Sequence, residues 1–320
     1  MIRFLAIRLI QAAVVLWAVS LLVFVGVYQI GDPASLLIPP EADQETINRV
    51  RESMGLELPL FEQYRLFAVN ALHGDLGESF FYRDNAATVI LERLPATMEL
   101  AVAAMTIAIA VGIPLGILAG AYRGTAIDRF VMMFCTLCIS VPTFWIGLLL
   151  ILLFAVTLGW LPALGRGDTV PVFGIELSIF TLNGLKHLLM PALNLSLFPM
   201  AFIARLARSG LSEAMGLDFV RFARAQGNSR WQVVRVYVLK YISIPIVTMI
   251  GMYFGVLIAF AVVTESVFSW PGMGKLLIDS INLLDRPIVV AYLLITATIF
   301  VIINLVVDIL YSLLDPRIRL

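Results

Sequence analysis

The chain has 320 residues, of which 61% are hydrophobic and only 14% are charged. A water-soluble domain carries roughly a quarter charged residues, so this composition excludes an ordinary soluble fold and indicates a membrane protein. The formal net charge of zero argues against a nucleic-acid-binding protein, which needs a basic face, so no nucleic-acid partner is expected.

Six segments are long and apolar enough to cross a bilayer as helices, which takes about 20 residues each. The first is too long and too uniformly apolar for the core of a cleaved signal sequence, so we expect it to remain as a transmembrane helix. The sequence therefore predicts an all-α membrane protein with six transmembrane helices. The spans are about 8–30, 96–121, 131–157, 186–208, 243–268 and 288–313.

The charges between these spans predict their orientation. The segment 31–95 is mainly acidic, whereas 205–240 is mainly basic and has only Glu213 and Asp218 as acids. Basic residues favour the cytoplasmic side, so both termini are predicted to be cytoplasmic and 31–95 extracytoplasmic. The other basic residues agree with this orientation; they are Arg3, Arg8, Arg123, Arg129, Arg317 and Arg319.

Small residues recur every fourth position in two of the spans, a spacing that lets helix backbones approach closely within a membrane. We expect them to pack helices of the chain together, and a seam between two subunits is the alternative. The residues are Gly112, Gly116 and Gly120 in the second span, and Gly251, Gly255 and Ala259 in the fifth. Pro114, Pro142 and Pro245 are expected to kink their spans.

The chain is expected to comprise an N-terminal segment with the first span (1–30), an extracytoplasmic loop (31–95) and a core (96–320). The loop is too long for a simple connection. Its apolar spacing predicts two short amphipathic helices on the outer surface, one over Glu41–Met54 and one from Pro59 to near Gly74. They would meet a soluble partner or pack as a lid on the chain's own helices.

The loop of about 209–242 has the strongest local pattern in the chain. Gly227 is expected to close one helix in the left-handed conformation, and Ser229 with Gln232 forms a capping box for the next. Trp231, Val234 and Val238 are predicted to share one face of that second helix. Such a hairpin is suited to docking on another protein; the alternative is a basic loop that contacts anionic lipid.

The stretch Val220-Arg-Phe-Ala-Arg-Ala-Gln-Gly227 resembles the cytoplasmic "EAA" loop of binding-protein-dependent ABC importer permeases, in the form found in the dipeptide, oligopeptide, nickel and glutathione branch. Further motifs of that branch follow the chain in order. They are Gly74-Asp-Leu-Gly77, Leu94-Pro-Ala-Thr97 with Glu99-Leu100, Ser140-Val-Pro-Thr-Phe-Trp145, Glu265-Ser-Val-Phe268 with Pro271-Gly-Met-Gly274, Asp285-Arg-Pro287, Asn304-Leu-Val-Val-Asp308 and Leu314-Asp-Pro-Arg317.

The resemblance implies a type I importer permease fold in the inner membrane and the transport of di- or oligopeptides, with nickel, glutathione, opines or sugars as alternative substrates. It also implies four kinds of partner: a second, related permease chain, two ATPase subunits, an extracytoplasmic solute-binding protein and membrane lipid. No Walker-type glycine loop is present, so ATP hydrolysis is expected on the partner.

Two groups of site residues follow from the same resemblance. The 218–232 loop would couple the permease to the ATPase, and its candidate residues are Arg221, Ala223, Arg224, Ala225, Gln226, Gly227 and Ser229. Only a small residue is expected to fit at Gly227. The candidates for an outer gate are Glu265, Pro271, Gly272 and Gly274. An acid near membrane depth is a functional candidate by default, but capping of a neighbouring helix also accounts for Glu265.

Other polar residues favour structural roles. Asp308 is expected to pair with Arg317 or Arg319, and Asn194 with Ser196 to make hydrogen bonds between helices rather than to line a polar path.

Cys135 and Cys138 form a C-x-x-C within an apolar helix and are expected to be buried structural thiols. His73 and His187 have no ligand cluster around them, so no metal and no cofactor are expected on this chain.

Two other classes of membrane protein fit the composition. A secondary transporter or channel typically carries internal repeats and ion-coupling acids within broken helices, neither of which is evident here. Nothing positive in the sequence favours a sensor or assembly subunit. An ABC importer permease is therefore the predicted class.

Overall fold

The computed structural model of the chain describes residues 2–29, 43–45 and 58–314. Within these ranges the chain is predominantly helical. The helices are α1 (Ile2–Gln29), α2 (Leu60–Leu72), α3 (Ala86–Ala121), α4 (Ala126–Ser140), α5 (Thr143–Leu150), α6 (Leu182–Ala214), α7 (Asp218–Ala225), α8 (Arg230–Val233), α9 (Leu239–Val267), α10 (Met273–Asn282) and α11 (Arg286–Leu314). Two π-helical segments, Ile151–Thr157 and Val234–Val238, directly follow α5 and α8.

Five stretches of helix in the described residues are long and apolar enough to cross a membrane, and a bent pair of helices supplies a sixth span. This number agrees with the six predicted spans. The five are Ala6–Gly26, Ala86–Ala121, Leu182–Ala214, Arg230–Val267 and Arg286–Ile309.

The predicted third span, 131–157, is not one straight helix. The chain turns by 104° between α4 and the helical stretch Thr143–Thr157. The break lies at Val141 and Pro142, whose ψ angles of 131° and 133° are extended. A proline disfavours the helical conformation in the residue before it and has no amide hydrogen to donate, so the helix ends here. A kink at Pro142 was expected, but its size makes this a broken span.

A short β-hairpin between the third and fourth spans is a second feature that the sequence did not predict, within a fold that is otherwise helical as expected. Strands β1 (Val170–Val172) and β2 (Ile175–Leu177) pair antiparallel around Phe173 and Gly174. Both turn residues have positive φ angles, 51° and 80°, which matches the right-handed twist of a two-residue hairpin. The pattern Val-Pro-Val-Phe-Gly lacks the asparagine or aspartate that marks such a turn, so it does not predict a hairpin.

The chain divides into two compact units, Met1–Leu94 with Leu276–Val301 and Pro95–Lys275 with Ile302–Leu320. In the first unit, α2 packs on α1. The Phe24 ring lies 5.4 Å from that of Tyr64 and 5.7 Å from that of Phe67, centroid to centroid, and the hydroxyls of Ser20 and Tyr64 are hydrogen-bonded at 2.9 Å. Helix α2 begins after Pro59, as predicted, and its inner face packs on the chain's own helix.

The first predicted loop helix, Glu41–Met54, lies largely outside the described residues. Away from α1, helix α2 exposes both apolar and charged side chains: Phe61 is 74% exposed, Leu72 is 87% exposed, and Glu62 and Arg65 form an exposed ion pair. Helix α2 is therefore an amphipathic element with one covered face and one free face.

A buried carboxylate, that of Asp285, holds one loop of the first unit in place. Asp285, 1% exposed, accepts a short hydrogen bond from the Ser79 hydroxyl and longer ones, both 3.4 Å, from the backbone amides of Phe80 and Phe81. A carboxylate that gathers several donors fixes the loop that supplies them, because each donor would otherwise be buried without a partner. The Gly74–Asn85 loop is held in this way.

In the second unit, α3 and α6 pack backbone to backbone. A Cβ built on Gly116 would lie 2.3 Å from the carbonyl oxygen of Ala204, and one on Gly112 would lie 2.8 Å from that of Met200. In α9, a Cβ on Gly251 would lie 2.1 Å from a Val307 methyl group. The predicted packing within the chain is thus confirmed for these glycines, and the reason is the close approach that only glycine permits.

Candidate functional site

The predicted coupling loop folds as a short helix, a tight turn and a second helix. Helix α7 ends in a Schellman motif: the amide of Gly227 donates to the carbonyl of Arg224 at 2.9 Å, and the amide of Asn228 donates to that of Ala223 at 3.3 Å. Gly227 has a φ of +86°, as this motif requires. The prediction that Gly227 closes the helix in the left-handed conformation is confirmed.

The reason for glycine at this position differs from the one expected. A Cβ built on Gly227 would have no heavy atom within 4 Å, so a larger side chain has room. Packing within the chain therefore does not restrict this position to a small residue, and the fit against a docked ATPase stays a prediction. Glycine is selected by its backbone conformation, because an L-residue in the left-handed region is strained whatever space surrounds it.

The capping box that starts α8 is also confirmed. The Ser229 hydroxyl accepts from the amide of Gln232 at 3.3 Å, and Oε1 of Gln232 accepts from the amide of Ser229 at 2.8 Å. The Arg230 guanidinium donates a short hydrogen bond to the carbonyl of Ala121, the last residue of α3. Each end of the turn is therefore fixed by its own hydrogen bonds.

The inner side of this hairpin is anchored in a hydrophobic core. Val220 and Ala223 of α7 are 0% and 1% exposed. They pack with residues of α6, α8, α9 and the π-helical segment between α8 and α9, all of them in the second unit. The other buried members are Ala207, Leu211, Ala214, Val233, Val234, Val238, Ile242 and Ile246. A displacement of α7 must therefore move the ends of α6 and α9 with it, since packed cores are stiff.

The outer side carries most of the predicted coupling residues. Ala223 points inward, whereas the other six are exposed: Arg221, Arg224, Ala225, Gln226, Gly227 and Ser229. Two aromatic side chains lie among them, Phe222 at 67% exposure and Trp231 at 58%. Together these eight exposed residues form a charged surface with two aromatic projections, which we call the coupling surface.

Trp231 was predicted to share a face with Val234 and Val238, and this is wrong. Both valines are buried, but Trp231 is exposed and Val233 takes the inner position instead. The π-helical turn over Val234–Val238 bonds each amide to the carbonyl five residues back, so the usual helical periodicity does not carry across it. Phe222 was missed, although its place beside the inward Val220 and Ala223 on a short amphipathic helix marks it as outward-facing.

The predicted gate residues meet around one buried carboxylate. Glu265 is 0% exposed; its Oε1 accepts from the Thr97 hydroxyl at 2.7 Å and its Oε2 from the amide of Lys275 at 3.0 Å. Thr97 Oγ1 in turn accepts from the amide of Met273 at 2.9 Å. The carboxylate thus caps the first turn of α10 and ties it to α3, which is the structural alternative considered for this acid.

Glycine is required at both of these gate positions because neighbouring atoms lie too close to admit a Cβ. A Cβ on Gly272 would lie 2.3 Å from Oε1 of Glu265, and one on Gly274 would lie 2.5 Å from Cα of Val262. Trp270, also fully buried, donates from its indole nitrogen to the carbonyl of Ala96 at 2.9 Å. The segment Glu265–Gly274, with the turn at Pro271, is therefore tightly packed, and we call it the Glu265 segment.

A second buried carboxylate, Glu99, was seen in the sequence only as part of a motif. Its Oε2 accepts from Nε and Nη2 of Arg166 at 3.0 and 2.7 Å, and its Oε1 accepts from the amides of Ser178 and Ile179, both at 2.7 Å. Arg166 also lies 5.7 Å above the ring of Trp270. The position of an acid inside a predicted span was the one sequence signal for Glu99. Its partners could not be predicted, because they lie 67 to 80 residues further along the chain.

A second ion pair, Asp128–Arg208, lies at the other end of the second unit. Asp128, in the first turn of α4, accepts from Nε and Nη2 of Arg208 at 2.5 and 2.8 Å, and from the amide of Gly124 at 2.9 Å. The planar guanidinium matches the carboxylate with two parallel hydrogen bonds. Helices α4 and α6 are joined at this point.

The remaining predictions divide. Asn194 donates to the hydroxyl of Thr264 at 3.1 Å, which confirms a hydrogen bond between α6 and α9. Ser196 donates to the carbonyl of Leu193 within its own helix, so its predicted interhelical role is wrong. Cys135 and Cys138 are buried free thiols, as expected. The expected Asp308 partners, Arg317 and Arg319, lie outside the described residues.

In the part of the chain that the structure describes, no three His, Cys, Asp or Glu side chains are grouped to hold a metal ion.

Comparison with known proteins places these features in a family. The family described as binding-protein-dependent transport system inner membrane component matches residues 112–320, and the corresponding N-terminal family matches residues 1–101. The di/tripeptide transport system permease protein DppB of Pseudomonas aeruginosa is 40% identical, with 100% of this chain and 99% of the relative covered. The glutathione transport system permease protein GsiC of Escherichia coli K12 is 38% identical, with the same coverage.

The solved structure of the methionine ABC transporter MetNI in inward-facing conformations also matches. One of its chains has a TM-score of 0.55 and 17% sequence identity, and the match covers 71% of this chain and 96% of that one. At this identity the likeness concerns the fold, which is that of a type I importer permease.

Proposed function

This chain belongs to the family of binding-protein-dependent transport system inner membrane components, and we propose that the substrate it carries is a di- or oligopeptide. As a member of that family it is a multi-pass permease subunit of an ABC importer in the inner membrane and is not itself an enzyme. The family implies an ATPase and a solute-binding protein as partners.

One observation carries the choice of substrate: full-length similarity to a permease named for di- and tripeptides and to one named for glutathione. Glutathione is chemically a modified tripeptide, so both names indicate small peptides with a free carboxylate. Nickel, opines and sugars are the remaining alternatives.

The coupling surface is proposed to dock into the ATPase. Two properties support this role. Its exposed face combines arginines with Phe222 and Trp231, and aromatic and arginine side chains dominate the energetics of protein interfaces. Its inner face is packed into a core that includes the ends of α6 and α9. A force on α7 would therefore reach the membrane-spanning helices.

The full complex is proposed to contain two permease chains, the second related to this one, with two ATPase subunits and an extracytoplasmic binding protein. The Glu265 segment is proposed to form part of the outer gate. ATP binding would shift the permease pair between inward-open and outward-open states. The size of this shift is limited by the difference between the affinities of the ATPase for the two states.

The test is ATP-dependent uptake of a labelled dipeptide by the complete reconstituted complex, with labelled glutathione and nickel in parallel. We expect uptake of the dipeptide. If only glutathione or nickel enters, or if the binding protein stimulates ATPase activity without dipeptide uptake, the permease assignment holds and the peptide substrate is wrong.

Three variants at one position test the coupling role. Gly227→Arg adds bulk and strains the backbone, Gly227→Ala strains the backbone only, and Gly227→Asn tolerates the left-handed conformation better. We expect ATPase co-purification to be lost in Gly227→Arg, weakened in Gly227→Ala and largely kept in Gly227→Asn, with all three present in the membrane. Full co-purification of the ATPase with Gly227→Arg would refute the role.

A further inference from the structure

Helix α6 has one face that takes no part in its packing against α3. The residues that receive the α3 glycines are Met200, Ala204, Ala207 and Leu211. On the opposite side, side chains follow at intervals of four, three and four positions, a spacing that puts them on one stripe of a helix. They are Phe198, Phe202, Arg205 and Ser209.

This stripe is covered at one end and open at the other. Asn194, one turn before Phe198, is fully buried; it bonds to Thr264 of α9, and a Cβ on Gly147 of α5 would lie 3.6 Å from its Nδ2 atom. Towards the other end of α6, Phe198 and Phe202 are half-buried and Arg205 is exposed. Helix α5 and the buried part of α9 thus close the stripe only near Asn194.

Tyr253 of α9 joins the two phenylalanines in an aromatic cluster. The ring centroids of Phe198 and Phe202 are 4.9 Å apart, and Tyr253 lies 5.9 Å from the first and 5.2 Å from the second. The Tyr253 side chain is half-buried, and its hydroxyl makes no hydrogen bond to another described residue. A hydroxyl within apolar spans needs water or a ligand, because hydrocarbon offers no hydrogen bond.

Arg205 follows one turn after the cluster and differs from its neighbour Arg208. Arg208 makes the bidentate ion pair with Asp128, whereas Arg205 has no ion pair or hydrogen bond within the described part of the chain. It lies nine residues before the end of α6, about 13 Å along the helix axis. It is also three residues from the cytoplasmic end of the predicted fourth span, 186–208, so its guanidinium lies where water or the mouth of a water-filled cavity can solvate it.

We infer that this stripe is a contact surface for the peptide in transit, with Arg205 binding its carboxylate and Phe198, Phe202 and Tyr253 contacting its side chains. The charge complementarity selects the ligand class: an unpaired guanidinium is suited to a carboxylate, and adjacent aromatic faces are suited to apolar groups. The inference rests on the proposed peptide substrate.

The decisive experiment is photocrosslinking during turnover. A photoreactive phenylalanine analogue replaces Phe202 in the complete reconstituted complex, and a labelled dipeptide is supplied with its binding protein and ATP. The matched control carries the same analogue at Phe130, an α4 aromatic that is 65% exposed. We expect crosslinks to the dipeptide at position 202 that depend on ATP, and none at position 130.

A second measurement tests the cation. Arg205→Gln should lower dipeptide uptake and crosslinking at position 202 by roughly tenfold, the effect of losing one charged hydrogen bond, and Arg205→Lys should restore part of it. Lys186→Gln removes an exposed cation from the start of the same helix and should change neither. ATPase activity stimulated by the binding protein should persist in all three variants.

The outcomes separate this inference from the substrate proposal. If the unmodified complex imports the dipeptide but position 202 gives no crosslink, or if Arg205→Gln is as active as Lys186→Gln, the stripe faces lipid and the inference is wrong. If the unmodified complex imports no peptide at all, the substrate proposal fails, and the inference with it.

Discussion

The hydroxyl of Thr97 donates to the buried carboxylate of Glu265 at 2.7 Å and accepts from the amide of Met273 at 2.9 Å, so one threonine joins α3 to the start of α10. Residues 168 positions apart in the sequence are thereby joined within the second unit. The contacts of Glu265 explain why the segment after α9 turns back tightly: Gly272 leaves room for the carboxylate, and the Lys275 amide donates to it.

Loss of the Glu265 carboxylate should destabilise the protein. Glu265→Ala leaves the Thr97 hydroxyl and the Lys275 amide without their hydrogen-bond acceptor. Each buried group left unsatisfied lowers the free energy of unfolding by roughly 1–3 kcal/mol. Glu265→Gln keeps an acceptor oxygen and should lose less. Thermal unfolding of the purified protein in detergent measures both. A Glu265→Ala melting temperature equal to that of the unmodified protein would show that the carboxylate does not hold this segment.

The Glu99–Arg166 pair should contribute far more to stability than a surface pair. The side chains are 2% and 13% exposed, and removing one partner of a buried pair costs about 3–5 kcal/mol. Glu99→Leu should be worse than Arg166→Leu, because it also strands the amides of Ser178 and Ile179.

The control for this prediction is Glu62→Gln, since the Glu62–Arg65 pair is 40% and 59% exposed and such pairs contribute at most about 1 kcal/mol. Proteolysis of the β1–β2 hairpin and thermal unfolding provide the readouts. Similar losses for Glu99→Leu and Glu62→Gln would contradict the interpretation.

A single methyl group at Gly116 should separate α3 from α6. The added Cβ would lie 2.3 Å from the Ala204 carbonyl oxygen, which belongs to backbone and cannot rotate away. Overpacking of this kind costs about 1–3 kcal/mol. Gly26→Ala is the matched control, because a Cβ there meets nothing within 4 Å. Detergent-solubilised Gly116→Ala should unfold at a lower temperature than Gly26→Ala, and the opposite order would refute the close contact.

The predicted orientation can be tested with cysteines placed at two exposed aromatics. The sequence has only two cysteines, Cys135 and Cys138, and both are buried, so the background of labelling is low. Phe173→Cys, at the tip of the hairpin, should react with a membrane-impermeant thiol reagent in intact spheroplasts. Trp231→Cys, on the coupling surface, should react only after permeabilisation. Labelling in the reverse pattern would invert the topology.

Local features of this chain were predictable from its sequence. Hydrophobic length identifies spans because the thickness of the bilayer sets it. Gly227 and the pair Ser229 and Gln232 were recognised because caps depend on residues a few positions apart. Glycine spacing predicted close helix contacts because only the absence of Cβ permits them.

Two features of these elements could not be predicted from neighbouring residues alone. Pro142 signalled a kink, but the 104° turn depends on what the following helix packs against. The π-helical turn at Val234–Val238 shifted the inner face from Trp231 to Val233, and no periodicity rule anticipates such a turn.

The sequence by itself determined that this is a membrane protein and about where the chain crosses the bilayer, because hydropathy acts over short distances. Its motifs indicated an importer permease through their resemblance to a known family. Only the tertiary structure decided the partners of its buried charges. Glu99 pairs with Arg166 and Asp128 pairs with Arg208, whereas Arg205 has no ion-pair partner among the described residues. A buried charge is stabilised by whichever group the fold brings within hydrogen-bond reach, and that depends on the packing of distant segments rather than on spacing along the chain.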